Sequence, residues 1–192
     1  MLINTHILIG RYCYNRCIEE FGLDIDKKRY LYGCIEPDLH RGKYKVSHTY
    51  TDSIERMNEY RNLVKDKEVQ LEDTSFLLGK MSHYIADYFC KYHLEENFDK
   101  DMKEHFAYER VLHKRLKKLL KHNCDECFED VFDDLKKNVN YLDELEKMRL
   151  EYRALEDSHM KDLYFTIKAT CYLLYCAQDY IKDLSKNERK LG

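Results

Sequence analysis

The sequence predicts an all-α protein, a single-domain helical bundle, and three observations carry that prediction. Helix breakers are scarce: the 192 residues include one proline, Pro37, and six glycines. Leu, Lys, Glu and Tyr are abundant, and the first three are strong helix formers. Apolar residues recur at three- and four-residue spacing, and no alternating apolar/polar run is long enough to read as a strand. Hydrophobic residues make up 44% of the chain, enough for a sizeable core, and the 36% that are charged suit long exposed helix faces. The length suits one domain spanning residues 1–192.

The elements follow from local signals. Thr5 reads as an N-cap for a helix running to residue 21, and on its wheel His6 falls among Ile9, Cys13 and Cys17, facing inward. A second helix is predicted over residues 27–34. Glu36 precedes Pro37 and is biased toward extended geometry, so Asp38 is expected on a loop with its carboxylate free to aim. His40 and His48 follow in a polar stretch. A helix over residues 49–64 takes Thr49 or Thr51 near its cap. Asp73 or Thr74 is then predicted to cap a long helix, residues 75–95, whose apolar residues nearly encircle it, the mark of a buried central helix. Lys80 and Lys91 share one narrow sector of that helix beside His83 and Asp87, so this pair is expected where the core meets an opening. Residues 97–103 link to a basic amphipathic helix over residues 104–121, and two more helices are expected near 125–155 and 158–184.

Charge and cysteine usage narrow the function classes. The net charge is −3 and the sequence pI is near 6.3. That balance argues against a dedicated nucleic-acid binder, which carries a basic excess. The N-terminal run MLINTHILIGR has no basic leader and too short an apolar stretch for a signal peptide. No stretch approaches the ~18 apolar residues of a membrane span. A cytoplasmic protein with its eight cysteines as reduced thiols is therefore expected. Cys124 and Cys127 form a lone C-x-x-C, and a zinc ribbon needs a second pair, so these read as ordinary loop thiols.

The chemistry concentrates in residues 79–109, GKMSHYIADYFCKYHLEENFDKDMKEHFAYE. Two His-x-x-x-acid pairs lie there, His83/Asp87 and His105/Glu109, with His93 between them. Residues four apart share a helix face, so each pair can close on one zinc-like cation. One such pair is commonly a solvated surface pair. Two pairs in one short span, with a histidine between, point to metal. The wheel adds weight: His105 and Glu109 fall in the arc of Leu112, Leu116, Leu119 and Leu120, opposite Arg110, Lys114, Lys117, Lys118 and Lys121. A carboxylate on a buried arc must be paired, protonated or metal-bound. His93 comes six residues after Asp87 and cannot share its face on a straight helix. Either it serves a neighbouring ion or it sits where the helix end unwinds.

In order, the candidate ligands are His6, Asp38, His48, His83, Asp87, His93, His105 and Glu109. This order, with the words NTHILIG, YGCIEPDLH, SHTYTD, LGKMSHYIADYF and HFAYE, resembles the zinc-dependent phospholipase C family. That family includes bacterial phosphatidylcholine-cleaving enzymes and alpha-toxin catalytic domains, and it shares its helical fold with fungal single-strand nucleases. The resemblance implies two to three clustered zinc ions. Asp38, His48, His83 and Asp87 would hold one; His93, His105 and Glu109 a second; His6 and a bridging Asp87 a third. In secreted relatives the terminal amine and carbonyl of a tryptophan complete the third site. This chain has no tryptophan, and Met1 is not expected to take that part. His40 is an alternative loop ligand. The resemblance also casts Asp38 as a general base, a role that competes with metal binding.

The function expected is a zinc phosphohydrolase of the phospholipase C type, cleaving a phospholipid headgroup ester or a soluble phosphodiester. The competing readings are a non-catalytic helical metal-binding protein and a nuclease-like phosphodiesterase. The 17 tyrosines could stack bases, but at helical spacing they fit a core better. The basic helix over residues 104–121 allows peripheral contact with anionic membrane as a secondary role.

Overall fold

The computed structural model describes residues 1–39, 48–66, 69–97, 101–122, 125–133 and 140–191. The protein is all-α. Among the described residues there are eight α-helices, three short 3-10 turns and no strand. The helices are α1 (Ile3–Phe21), α2 (Lys27–Gly33), α3 (Glu36–Leu39), α4 (Tyr50–Val64), α5 (Leu71–Tyr88), α6 (Met102–Lys121), α7 (Tyr141–Ala154) and α8 (His159–Leu191).

Helix α5 is the centre of the bundle, with α2, α4 and α8 packed around it. Its apolar residues circle the wheel, and Leu78, Met81, Tyr84, Ile85 and Tyr88 are all buried. The closest approach is between α2 and α5. A Cβ added to Gly79 would stand 2.1 Å from the Tyr30 carbonyl oxygen, and one added to Gly33 would stand 2.3 Å from that of Phe76. Backbone therefore meets backbone at this crossing, and only glycine fits on either side. One turn further along, the Tyr30 and Ser82 hydroxyls share a 3.0 Å hydrogen bond inside the interface.

Several element boundaries differ from the sequence expectation, each for a local reason. Helix α1 begins at Ile3 with Leu2 at its N-cap and no side-chain cap. Thr5 lies inside it, buried, and its Oγ1 hydrogen-bonds His113 of α6 instead. The helix ends at Gly22, whose φ of 67° is the left-handed conformation that closes a helix without strain. Asp38 is not on a loop: it belongs to the single turn α3, where Pro37 is tolerated because first-turn amides have no helical acceptor. Thr49 caps α4 by accepting from the Asp52 amide.

Helix α5 starts before Asp73 and Thr74 rather than after them. Thr74 and Ser75 are turned inward, and Ser75 Oγ bonds back to the Leu71 carbonyl while accepting from the Asp26 amide. The Ser75 hydroxyl thus serves the helix interior and not its start, and the Thr74 hydroxyl is buried without a hydrogen bond. The helix stops at Tyr88, well short of residue 95. Phe89 leaves helical geometry, and Lys91–His93 form a 3-10 turn. The Lys91 amide is taken up by the buried Asp162 carboxylate of α8 at 3.3 Å. The long helix expected near 125–155 is instead a 3-10 turn, Asp125–Val131, and a separate α7 capped by Asn140. His40 and Cys124 lie outside the described residues, and Cys127 is an exposed free thiol. No described helix is long and apolar enough to cross a membrane.

Gly79→Ala should lower unfolding stability by about 3 kcal/mol or more, because the new methyl meets fixed backbone and not a movable side-chain end. Urea unfolding monitored by circular dichroism checks this. A loss under about 1 kcal/mol would mean the α2–α5 crossing is looser than described.

Candidate metal centre

The site lies where the C-terminal half of α5 meets the starts of α1 and α6. On α5, His83 and Asp87 stand one turn apart and both are fully buried, 0% exposed. The sequence placed this pair at an opening. The opening lies instead on the side of His93 and His105, which are only partly buried. His83 is oriented from behind: its Nδ1 donates to the Cys34 carbonyl at 2.9 Å, which leaves Nε2 facing Asp87 at 3.4 Å. Cys34 immediately follows α2, so the glycine crossing sets this distance.

Asp87 gathers the other groups. Its Oδ2 lies 2.8 Å from His48 Nδ1, and its Oδ1 lies 3.5 Å from His6 Nε2 and 3.6 Å from His93 Nε2. His48 and His83 bring ring nitrogens to within 3.1 Å of each other. Asp38 stands at the edge of this group, 3.9 Å from both His6 and His48. On the other side, Glu109 Oε1 lies 2.7 Å from His105 Nε2 and 3.2 Å from His93 Nε2. Unwinding of the α5 end is what lets His93 reach both carboxylates. All eight residues singled out from the sequence therefore converge.

Two further groups escaped the sequence reading. The Met1 amine lies 2.5 Å from Asp87 Oδ1, 2.9 Å from His93 Nε2 and 3.2 Å from Glu109 Oε1. The sequence gives no reason to expect Met1 in this group, and the structure places its amine there. Because α1 begins at Ile3, two extended residues are enough to carry the amine back beside His6. Cys90 is the other. It is buried, and its thiol forms a compact group with His93 and Glu109, all three ligand atoms within 4.8 Å of one another. The spacing Cys90-x-x-His93 was the available signal. Two other such groups occur, His6–His83–Asp87 and Asp38–His48–His83.

The electrostatics are those of a cation site. Burial alone would raise the Asp87 pKa, but His93, the Met1 amine, His6 and His48 together hold it well below the usual carboxylate range. Glu109 is likewise pulled down: burial opposes, and the hydrogen bonds from His105 and His93 prevail. Burial works against the charged Met1 amine, yet Asp87 and Glu109 push it up to about 11. His83 is depressed by burial and by the neighbouring His6, and His93 is depressed by burial, so both tend to the neutral form that binds metal.

The donor set fits zinc. Imidazoles and carboxylates in partly overlapping groups of three match its ligand preferences. His6 supplies an independent sign: it is 2% exposed, and neither of its ring nitrogens has a hydrogen-bond partner. A buried imidazole of this kind is costly unless it binds something.

Comparison with protein families agrees with this geometry. A family model described as zinc dependent phospholipase C matches residues 5–180. The chain belongs to the zinc-dependent phospholipase C family. Comparisons with curated proteins and with solved structures return no match. The match covers His6 to Glu109 and continues through α7 into α8. In this phospholipase C-type fold α8 supports the site from outside it. Asp162, fully buried, accepts from the Tyr108 hydroxyl at 2.7 Å and the Tyr152 hydroxyl at 2.9 Å as well as from the Lys91 amide. It thus ties α6 next to Glu109 and the turn before His93 to the bundle, and burial pushes its own pKa up to about 6.

With metal chelated, stability should fall as pH drops from 7 to 6. The folded chain keeps His83 and His93 neutral, while the unfolded chain protonates them near pH 6.5. Asp162, with its pKa raised to about 6, works in the opposite direction, but the two histidines outweigh it, so the unfolded state binds more protons and stability rises with pH. His83→Gln should flatten this slope in urea titrations run at each pH. A slope that is absent, or unchanged in the variant, would contradict the assignment.

Proposed function

We propose that the protein is a zinc-dependent phosphoric ester hydrolase of the phospholipase C type whose substrate is an amphiphilic phosphodiester, a phospholipid headgroup ester. One observation carries the substrate class. The metal centre opens into a cleft of about 510 Å³ whose lining includes Asp38, His93, His105 and Glu109 together with Ile3, Met102 and Phe106. Those three apolar side chains are exposed, with Met102 at 56%. Polar metal-binding groups at the base and apolar groups at the rim suit a phosphate ester carrying a hydrocarbon portion. A nuclease would need basic groups along the cleft as well as aromatic ones, and Phe106 is joined by no Lys or Arg among the described lining residues.

The residues would act as follows. Asp38, His48, His83 and Asp87 would hold one zinc, and His93, His105 and Glu109 a second. His6, Asp87 and the Met1 amine, once neutral, would serve a third, with Cys90 within reach of the second. Zinc bound there supplies Lewis acidity toward the phosphoryl oxygens and toward a water molecule. Asp38 faces the cleft and can accept a proton from the attacking water, although its first part is as a ligand. The Cys34 carbonyl holds His83 in the tautomer that keeps Nε2 free. The whole of residues 1–192 would work as one catalytic domain.

Purified protein should carry about two to three zinc ions per chain by elemental analysis. It should hydrolyse p-nitrophenyl phosphorylcholine, with the activity lost to chelator and restored by zinc. Asp87→Asn should lower kcat/KM by at least about 100-fold and reduce the zinc content. Zinc at full stoichiometry without hydrolysis of any phosphodiester would favour a non-catalytic metal-binding protein. Absence of bound zinc at saturation would end the hydrolase reading.

A further inference from the structure

A second cavity lies on the far side of α5. It encloses about 190 Å³ between α4, α5, α7 and α8. Its floor is formed by Val64, Leu78, Met81, Leu173 and Ala177, all buried. Leu78 and Asp87 are nine residues apart on α5, so they point to opposite sides of it, at about 100° per residue. No residue is shared between this cavity and the metal centre.

The rim is not apolar. Arg61 and Lys65, one turn apart at the end of α4, both line it. Arg61 is half-buried and Lys65 exposed, and neither forms an ion pair with a carboxylate among the described residues. The Lys65 ammonium lies 5.7 Å from the ring of Tyr180, another rim residue. On the wall, Tyr141 is 6% exposed and its hydroxyl has no hydrogen-bond partner. The cavity therefore combines an aliphatic floor, two cations at its mouth without carboxylate partners among the described residues and an unsatisfied buried hydroxyl.

We infer that this cavity is a binding site for a single-chain anionic amphiphile, its hydrocarbon tail on the floor and its anionic head against Arg61 and Lys65. The volume suits a short tail, being somewhat larger than the ~150 Å³ that accommodates benzene in a protein interior. Apolar pockets with a few placed polar groups take ligands of this type, the polar groups setting orientation and head-group preference. A neutral ligand would leave both cations unsatisfied, and a cationic one would be repelled. A carboxylate and a phosphate monoester offer the same charge chemistry, so the identity of the head is left to experiment. The site is independent of the hydrolase reading, because nothing in it depends on metal or on turnover.

The test is calorimetric titration of the full chain with octanoate, octyl phosphate, octanol and octyltrimethylammonium below their micellar concentrations. One or both anions should bind at one per chain, and which of them binds identifies the head. Arg61→Glu with Lys65→Glu should weaken that binding at least tenfold, as should Ala177→Phe, which fills the floor. Circular dichroism confirms that the variants are folded. A readout free of mutation comes from Cys176, which lines the same cavity. The bound anion should slow alkylation of Cys176, followed by mass spectrometry, and leave the exposed Cys127 unaffected. Octanol binding as tightly as the anions, no saturable heat with either anion, or Cys176 unprotected at saturation would each overturn the proposal.

Discussion

The Asp87 carboxylate is the constraint on which the structure depends. It is fully buried and sits in the last turn of α5, where the helix already presents the negative end of its dipole. An unpaired charge there would cost several kcal/mol. The fold answers with positive or proton-bearing groups from every side: His6 from α1, His48 from the start of α4, His83 from its own helix, His93 from the turn beyond, and the Met1 amine. They come from the N-terminal stretch, from the start of α4, from α5 itself and from the turn beyond it. The requirement to satisfy one carboxylate therefore ties the N-terminus, the centre and the His93 turn together. A zinc cluster would satisfy the same charge with fewer, stronger bonds, which is why a site of this kind is poised for metal.

Two devices hold the groups in place. The first is the glycine crossing of α2 and α5, which delivers the Cys34 carbonyl to His83. The second is Asp162, which receives three hydrogen bonds from α6, α7 and the Lys91–His93 turn. Neither touches the cleft. Both act on the orientation of residues that do, and orientation decides whether several donors can share an ion. The chemistry of the centre is thus supported by parts of the bundle that carry no ligands.

Much of this was legible in the residues. The His-x-x-x-acid pairs revealed themselves by spacing, because helical periodicity is a local property of the chain. His6 was readable as inward-facing for the same reason, and the buried arc holding Glu109 matched its 4% exposure. What failed was mostly boundaries and burial. Thr74 looked like a cap but lies buried inside α5, beside Ser75, whose hydroxyl is engaged by the Asp26 amide of the loop packed there. The early end of α5 depends on Asp162, more than seventy residues further on. Met1 and Cys90 were missed because their roles are set by where the chain folds back and not by their neighbours in sequence.

The sequence by itself determined that the chain is helical, which faces of its helices are buried, and which imidazoles and carboxylates stand in pairs. These follow from composition and from periodicity over a few turns, and they need no knowledge of distant contacts. Only the tertiary structure decided that the pairs share one centre, that α5 unwinds before His93, and that an amine and a thiol join them. The same holds for the second cavity, whose rim and floor come from four different helices. Distances between remote segments are set by packing, and packing depends on side chains that no local window contains.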